Sequence, residues 1–317
     1  MFILFIYMFI PQMLALRCWK THRVYKRGLI MKIDKVFAAC SPRLSESPVH
    51  FRKDNMLYWR GLDGEIFRKR YDTAVDDFEV FDIGIGNIGC ILEQEDWLLI
   101  FGDNGGVYKW LPYEEPVLLK RFPVGLFNDC FADCKGRIYC GILADNYFDF
   151  DKRGDTCLLV RIDINAEMNV VEKLNKTTPN GIAFSPANDK MYFAVTDADS
   201  VFVYDYDSES GEVCNKQIFA SDCCPDGIAV DNNGNVWVTD CRVGGPLICY
   251  APDGTVIEKY YFPIRRVTSV GFGKENMDTL FVTTAHEEKP IGEFDGGVFM
   301  LENTASALPK YYGKVEW

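Results

Sequence analysis

At 317 residues, 48% hydrophobic and 25% charged, the chain has the make-up of a globular protein with a substantial core. Its length allows one large domain or two ordinary ones. A net charge of −12 argues against nucleic acid, whose phosphates would be repelled, and against a peripheral place on anionic membranes.

The first 30 residues differ in kind. Met1 to Leu16 is almost wholly apolar, broken by Pro11 and Gln12, and Arg17, Lys20, Arg23, Lys26 and Arg27 follow without one acidic residue. A secretory signal puts its positive charge before the apolar run and small residues after it, and this segment does neither. The apolar run also falls short of the ~20 residues that span a bilayer as a helix. Residues 1–30 are therefore expected to be an extension outside the fold, with the folded chain opening at Met31 and its net charge at −17. A membrane anchor formed by residues 1–16 is the alternative.

From there on one pattern recurs: a polar residue, a short apolar strand, a tight polar turn and a second apolar strand. The six second strands are MLYW at 56–59, WLLIF at 97–101, RIYCG at 137–141, MYFAV at 191–195, VWVTD at 236–240 and TLFVTT at 279–284. Turns such as Lys135-Gly136 and Asn232-Asn233-Gly234 have the chemistry of positive-φ hairpins. Third and fourth strands follow, as in LICYA, Asp253-Gly254 and TVIEKYYF. No long segment keeps a 3.6-residue apolar period, so helix should be minor. Six units of four short antiparallel strands predict an all-β, six-bladed β-propeller over residues 31–317. A sandwich or jelly roll is the alternative, but neither demands six similar units. Pairing of KVFAA near residue 36 with the C-terminal PKYYG would close the ring and remove the exposed sheet edge.

The residues opening the first strands are Glu46, Asn87, Asn128, Asn180, Asp226 and Ser269, at steps of 41, 41, 52, 46 and 43. In a propeller the innermost strands surround the axis, so these positions form a polar ring at one end of the channel. Glu46 and Asp226, with no Lys or Arg in the ring, would repel one another unless a cation bound. The donors are all oxygen, which points to one hard divalent cation: Ca²⁺ first, with Mg²⁺, Mn²⁺ and Zn²⁺ as alternatives. Glycines in Pro179-Asn180-Gly181 and Pro225-Asp226-Gly227 fit crowded backbone beside such a site.

Other chemistries are poorly supported. Three histidines, His22, His50 and His286, form no HxxxH pair, and there is no GxSxG elbow or phosphate-binding glycine loop. His286 is expected on a surface loop, with a place facing the channel mouth as the alternative. The twelve cysteines form no CxxC pair. Reduced thiols of a cytoplasmic protein are the simpler account, with Cys130/Cys134 and the adjacent Cys223/Cys224 as the metal or redox alternatives.

Read together, several motifs resemble the senescence marker protein, gluconolactonase and luciferin-regenerating enzyme family. They are Ser45-Glu46-Ser47-Pro48-Val49, Phe127-Asn128-Asp129, Pro179-Asn180-Gly181-Ile182-Ala183, Pro225-Asp226-Gly227-Ile228-Ala229-Val230-Asp231, Asn235-Val236-Trp237-Val238 and Thr268-Ser269-Val270-Gly271-Phe272-Gly273. The resemblance implies a metal-dependent propeller hydrolase acting on a small-molecule lactone. By position Glu46, Asn180 and Asp226 look like its metal ligands, Asn128 like its substrate-orienting amide and Asp226 like its general base. Two positions depart from the pattern. Leu126 stands where members close to regucalcin carry an arginine that helps hold the sugar, and Arg60-Gly61 stands where an acidic residue is common. A less polar lactone is the implied preference. The insertion from Ile142 to Thr156, with Asp145, Asn146, Asp149 and Asp151, could cover the mouth as a lid, with Asn146 facing substrate, or be a solvated loop. A phosphoester hydrolase and a non-catalytic calcium-binding propeller are the competing functions.

Overall fold

The computed structural model describes residues 23–26, 29–32, 35–40, 42–147, 154, 156–175, 177–286 and 294–317. Six four-stranded antiparallel sheets form the six blades of a propeller. Their innermost strands are Ser45–Phe51, Ile88–Glu93, Leu126–Ala132, Pro179–Phe184, Pro225–Val230 and Arg266–Gly273, for blades 1 to 6 in order. Each pairs with one of the expected second strands: Met56–Gly61, Leu98–Gly102, Ile138–Leu143, Lys190–Val195, Val236–Asp240 and Thr279–Ala285. The only helical turns among the described residues are two three-residue 3₁₀ segments, Asp103–Gly105 and Thr196–Ala198. No helix among them is long and apolar enough to cross a membrane.

The sequence dictates a gradient of burial across each blade. Second strands such as Leu98–Gly102 are buried throughout and read as unbroken apolar runs, because both faces meet a neighbouring blade. Outer strands such as Val256–Tyr260 are mostly exposed and carry polar residues. The core accordingly divides into clusters, each filling the gap between two adjacent blades. One joins Tyr58 and Ile66 of blade 1 to Ile91 and Ile100 of blade 2, and another joins Leu57 and Trp59 of blade 1 to Phe281 and Met300 of blade 6.

Ring closure follows the expected N-terminal strand but not its expected partner. Lys35–Ala38 pairs with Val298–Glu302 as the outer strand of blade 6, with Val298 opposite Ala38 and Phe299 opposite Val36. The segment PKYYG is not a strand. The continuous apolar run Val298–Leu301 can bury between sheets, whereas residues 303–317 carry Pro309 and three charged residues and form a strap across the end of the channel opposite the inner-strand starts. The strap touches every blade. Its Lys310 carbonyl accepts from Arg52, Gly313 lies against Gln94, the Lys314 amide donates to Gly136, Tyr311 accepts from Asn188, the Ser306 carbonyl accepts from Asn232 and the Ala307 amide donates to Met277. Gly136, at φ 92°, is required twice over, since a Cβ there would meet Lys314 at 2.6 Å.

Arg23–Lys26 and Leu29–Lys32 form a separate two-stranded sheet that crosses the expected boundary at Met31. The apolar run 1–16 lies outside the described residues.

Closure by Lys35–Ala38 sets a test of the N-terminal boundary. Phe37 is 2% exposed, with ring centroids 4.9 Å from Phe281 and 6.3 Å from Trp59, so it joins blade 6 to blade 1. A chain starting at Met31 should melt within a few degrees of the full chain. Phe37→Ala in that chain should cost about 3–5 kcal/mol in chemical denaturation. Equal stability of the two would show that the ring closes elsewhere.

Candidate active site at the channel mouth

In all six blades the ladder beside the innermost strand slips at the same place. The slips fall between Glu46 and Val49, Ile88 and Cys90, Phe127 and Cys130, Pro179 and Ile182, Pro225 and Ile228, and Val267 and Val270. A bulge leaves residues unpaired, bends the strand and re-aims side chains. The six residues expected from repeat phase lie in or beside these bulges, at one end of the channel. Glycine follows Asn180 and Asp226 because the next blade's backbone passes there. A Cβ on Gly181 would come within 2.6 Å of the Asp226 carbonyl, and one on Gly227 within 2.6 Å of Ser269 Cα.

Carbonyls at the bulges are capped from the preceding blade. Arg60 Nε donates to Gly89 at 2.7 Å, Asn128 Nδ2 to Pro179 at 2.8 Å and Thr196 Oγ1 to Pro225 at 2.8 Å. Thr239 Oγ1 donates to Thr268 at 2.5 Å, and Thr268 Oγ1 to Ser45 at 2.6 Å. This chain of bonds fixes the orientation of Asn180. Its Nδ2 donates to Thr196 Oγ1 at 2.6 Å while the Thr196 hydroxyl is spent on Pro225. Oδ1 therefore faces the other way, where it accepts from Asn128 Nδ2. Asn87, by contrast, turns its amide to Asp103 at 3.0 Å.

The electrostatics are dominated by three carboxylates. Glu46 is 5% exposed and burial pushes its pKa up to about 8, with the Arg60 guanidinium acting against the rise and Asp129 adding to it. Asp226 is raised well above the ordinary range, first by burial and then by the charges of Glu46 and Asp129. Asp129 rises to about 6 by burial, relieved by Arg60 and Lys310. Asp129 and Asp226 keep some area open to the channel yet lie deep within the protein, so loss of water outweighs their residual exposure.

Three further groups join the site: Asp129 and Arg60, which the sequence singled out only within a family motif and as a departure from it, and Lys310, which it did not single out. Asp129 follows Asn128 inside its bulge, where blades 4 and 5 have glycine. Arg60, 6% exposed, stands opposite Glu46 in the ladder, and strand counting could have placed it there. Lys310 enters from the strap and is lowered by burial near Glu93 and Asp129. No repeat phase could have shown it.

The other expected positions are more peripheral. Leu126 opens the inner strand of blade 3, half-buried and paired with Leu143. The insertion that follows Leu143 therefore leaves from the mouth side. Asn146 is exposed at its base with φ 52°, and the Tyr147 hydroxyl bonds Thr178 just before Asn180. Asp149 and Asp151 lie outside the described residues. His286 is buried at 8% exposure, its amide donating to Arg43, and so is not on a surface loop. Cys223 is buried while Cys224 is half-exposed, so the adjacent pair faces opposite ways.

Counting only His, Cys, Asp and Glu, no group of three or more among the described residues is gathered to hold a metal. The expected set has two carboxylates and depends on the Asn180 amide as third donor. It fits a hard cation on its own chemistry: the donors are all oxygen, Asn180 Oδ1 is held facing the site, and two buried carboxylates lack full countercharge.

Comparison with known proteins agrees with this architecture. The sequence profile of the SMP-30/Gluconolactonase/LRE-like region matches residues 44–286. The chain is 31% identical over 291 residues to a pentonolactonase of Haloferax volcanii, covering 87% of this chain and 96% of the relative. It is 28% identical to a 6-deoxy-6-sulfogluconolactonase of Pseudomonas putida, covering 79% and 86%. The crystal structure of a calcium-binding protein, regucalcin, from Agrobacterium tumefaciens superposes with a TM-score of 0.77 at 17% identity, covering 88% and 96%. The fold and its mouth thus define a propeller built to place polar groups around an axis. The chain belongs to the SMP-30/gluconolactonase/luciferin-regenerating enzyme family.

Two measurements test the site. Without metal, Glu46 and Asp226 keep protons that the unfolded chain releases near pH 4, so the native state binds more protons and loses stability as pH rises from about 4 towards 8. His50, lowered to about 4 by burial, works in the opposite sense, so the diagnostic is the metal-induced rise in Tm, which should grow from pH 5 to pH 8. A rise independent of pH would place the metal elsewhere. Thr196→Val should weaken metal binding about tenfold by freeing the Asn180 amide to rotate, whereas Thr196→Ser should keep wild-type affinity. Equal affinity in all three proteins would remove Thr196 from this role.

Proposed function

We propose that this chain is a divalent-metal-dependent lactonase, opening the ring of a small-molecule lactone at the channel mouth. The observation that carries this reading is the convergence of Glu46, Asp226 and the oriented Asn180 amide at one set of bulges, beside Asn128. The lactonase names of relatives that align over most of the chain support the substrate class. Glu46, Asn180 and Asp226 would hold the cation, with Ca²⁺ as the first candidate. When bound, the cation supplies Lewis-acid polarisation of the lactone carbonyl and charge stabilisation of the developing oxyanion.

Asp226 serves as general base. A bound cation alone would make it too weak a base, but burial and the charges of Glu46 and Asp129 raise its proton affinity. The two influences together bring it towards the working range. Asn128 orients the substrate through its amide group, and its own position is fixed by the Pro179 carbonyl. Leu126 gives the rim beside Asn128 an apolar side chain, which supports a less polar lactone than a hexonolactone. Asn146, exposed where the insertion begins, would meet substrate from there. Cys40, Cys90, Cys130 and Cys140 are thiols packed within the core, which supports a reducing, cytoplasmic setting.

The test is a pH-indicator assay on aldono- and aliphatic lactones after chelation, with each metal added back. Asp226→Asn should lower kcat by about 10²–10⁴ even at saturating metal. Glu46→Gln should mainly weaken metal affinity, so that excess metal restores a measurable part of the rate. Near-normal affinity and rate in Asp226→Asn would overturn both the ligand set and the base.

A further inference from the structure

Cys224 and Cys241 flank the ladder pair of Pro225 with Asp240 and so stand directly opposite one another at the rim of blade 5. The Cys241 amide donates to the Cys224 carbonyl at 2.9 Å, and the two Sγ atoms are 3.1 Å apart. Opposed residues of a hydrogen-bonded antiparallel pair have Cα atoms about 5.5 Å apart, inside the roughly 4.4–6.8 Å that a disulfide tolerates. Both backbones are held in place. The Cys224 amide donates to Asp240 Oδ1 at 3.2 Å, and Arg266 Nη1 donates to the Cys241 carbonyl at 3.1 Å. Joining the sulfurs therefore needs no movement of the main chain. Both residues are also partly exposed, Cys224 more than Cys241, so an oxidant can approach from the rim.

No other thiol pair described combines these features. Cys130 and Cys140 are likewise opposed in the ladder, but they are 6% and 0% exposed within the cluster between blades 2 and 3. Cys223 is adjacent to Cys224 in sequence but lies in the bend before the inner strand and is only 1% exposed.

We propose that Cys224 and Cys241 are a reversible oxidation site, closing to a disulfide at the channel rim two residues from Asp226. The oxidant is a hydroperoxide. One thiol attacks its electrophilic oxygen, the O–O bond breaks, and the departing oxygen leaves as an alcohol or water, giving a sulfenic acid. The second thiol attacks that sulfur, the S–S bond forms, the S–O bond breaks and water leaves. Two thiols thus give up two electrons and two protons to one hydroperoxide, and a small-molecule thiol reverses the change. The site is independent of the lactonase reading.

The experiment treats the full chain briefly with hydrogen peroxide, alkylates the remaining thiols and maps peptides by mass, with and without prior dithiothreitol. Wild type should lose alkylation at Cys224 and Cys241 only, yield one cross-linked peptide pair, and regain both thiols on reduction. Cys223→Ser should behave as wild type, and Cys224→Ser and Cys241→Ser should form no cross-link. A bridge to Cys223, full alkylation of Cys224 and Cys241, or oxidation there without cross-linking would each overturn the proposal. The wild-type map decides by itself if a serine variant does not fold.

Discussion

The structure depends on the capping of bulge carbonyls across blade boundaries. Each bulge frees main-chain carbonyls from their ladder next to the axis, where an unpaired carbonyl would carry a desolvation cost of about 1–3 kcal/mol. Arg60, Asn128, Thr196, Thr239 and Thr268 each cap one from the preceding blade. The bonds that join the blades are thus the bonds that shape the mouth. Between blades 2 and 3 the contact is weaker, the Cys90 thiol donating to the Cys130 carbonyl at 3.5 Å, and the backbones approach closely, with a Cβ on Gly89 only 1.9 Å from the Phe127 carbonyl.

This arrangement explains why the mouth can hold so much unrelieved charge. Gathering Glu46, Asp129 and Asp226 in one enclosed place is unfavourable, and the apolar clusters between blades supply the stability that tolerates it. Arg60 and Lys310 only partly offset the carboxylates. The remaining deficit is what a bound cation would relieve under the proposed lactonase reading, and the same burial raises the proton affinity of Asp226. The strap adds a second constraint from the far end. It ties all six blades together and delivers Lys310 into the channel from outside the repeat pattern.

Much of this was legible in the chain. Apolar period, turn residues and a 41–52-residue spacing were enough for the propeller, because each blade is a local hairpin structure whose strands are neighbours in sequence. The phase of Glu46, Asn128, Asn180 and Asp226 was legible for the same reason, since identical units around an axis bring identical positions together.

What the sequence by itself determined, then, is whatever repeats: blade number, inner-strand starts and the polar ring. Tertiary structure alone decided what breaks the repeat. Ring closure through Val298–Glu302 rather than PKYYG, Lys310 beside Asp129, the orientation of Asn180 and the pairing of Cys224 with Cys241 instead of Cys223 all rest on contacts between distant segments or on which face of a strand a side chain takes. A side chain's facing follows from ladder register, and register shifts at every bulge, so these outcomes had no signature in spacing.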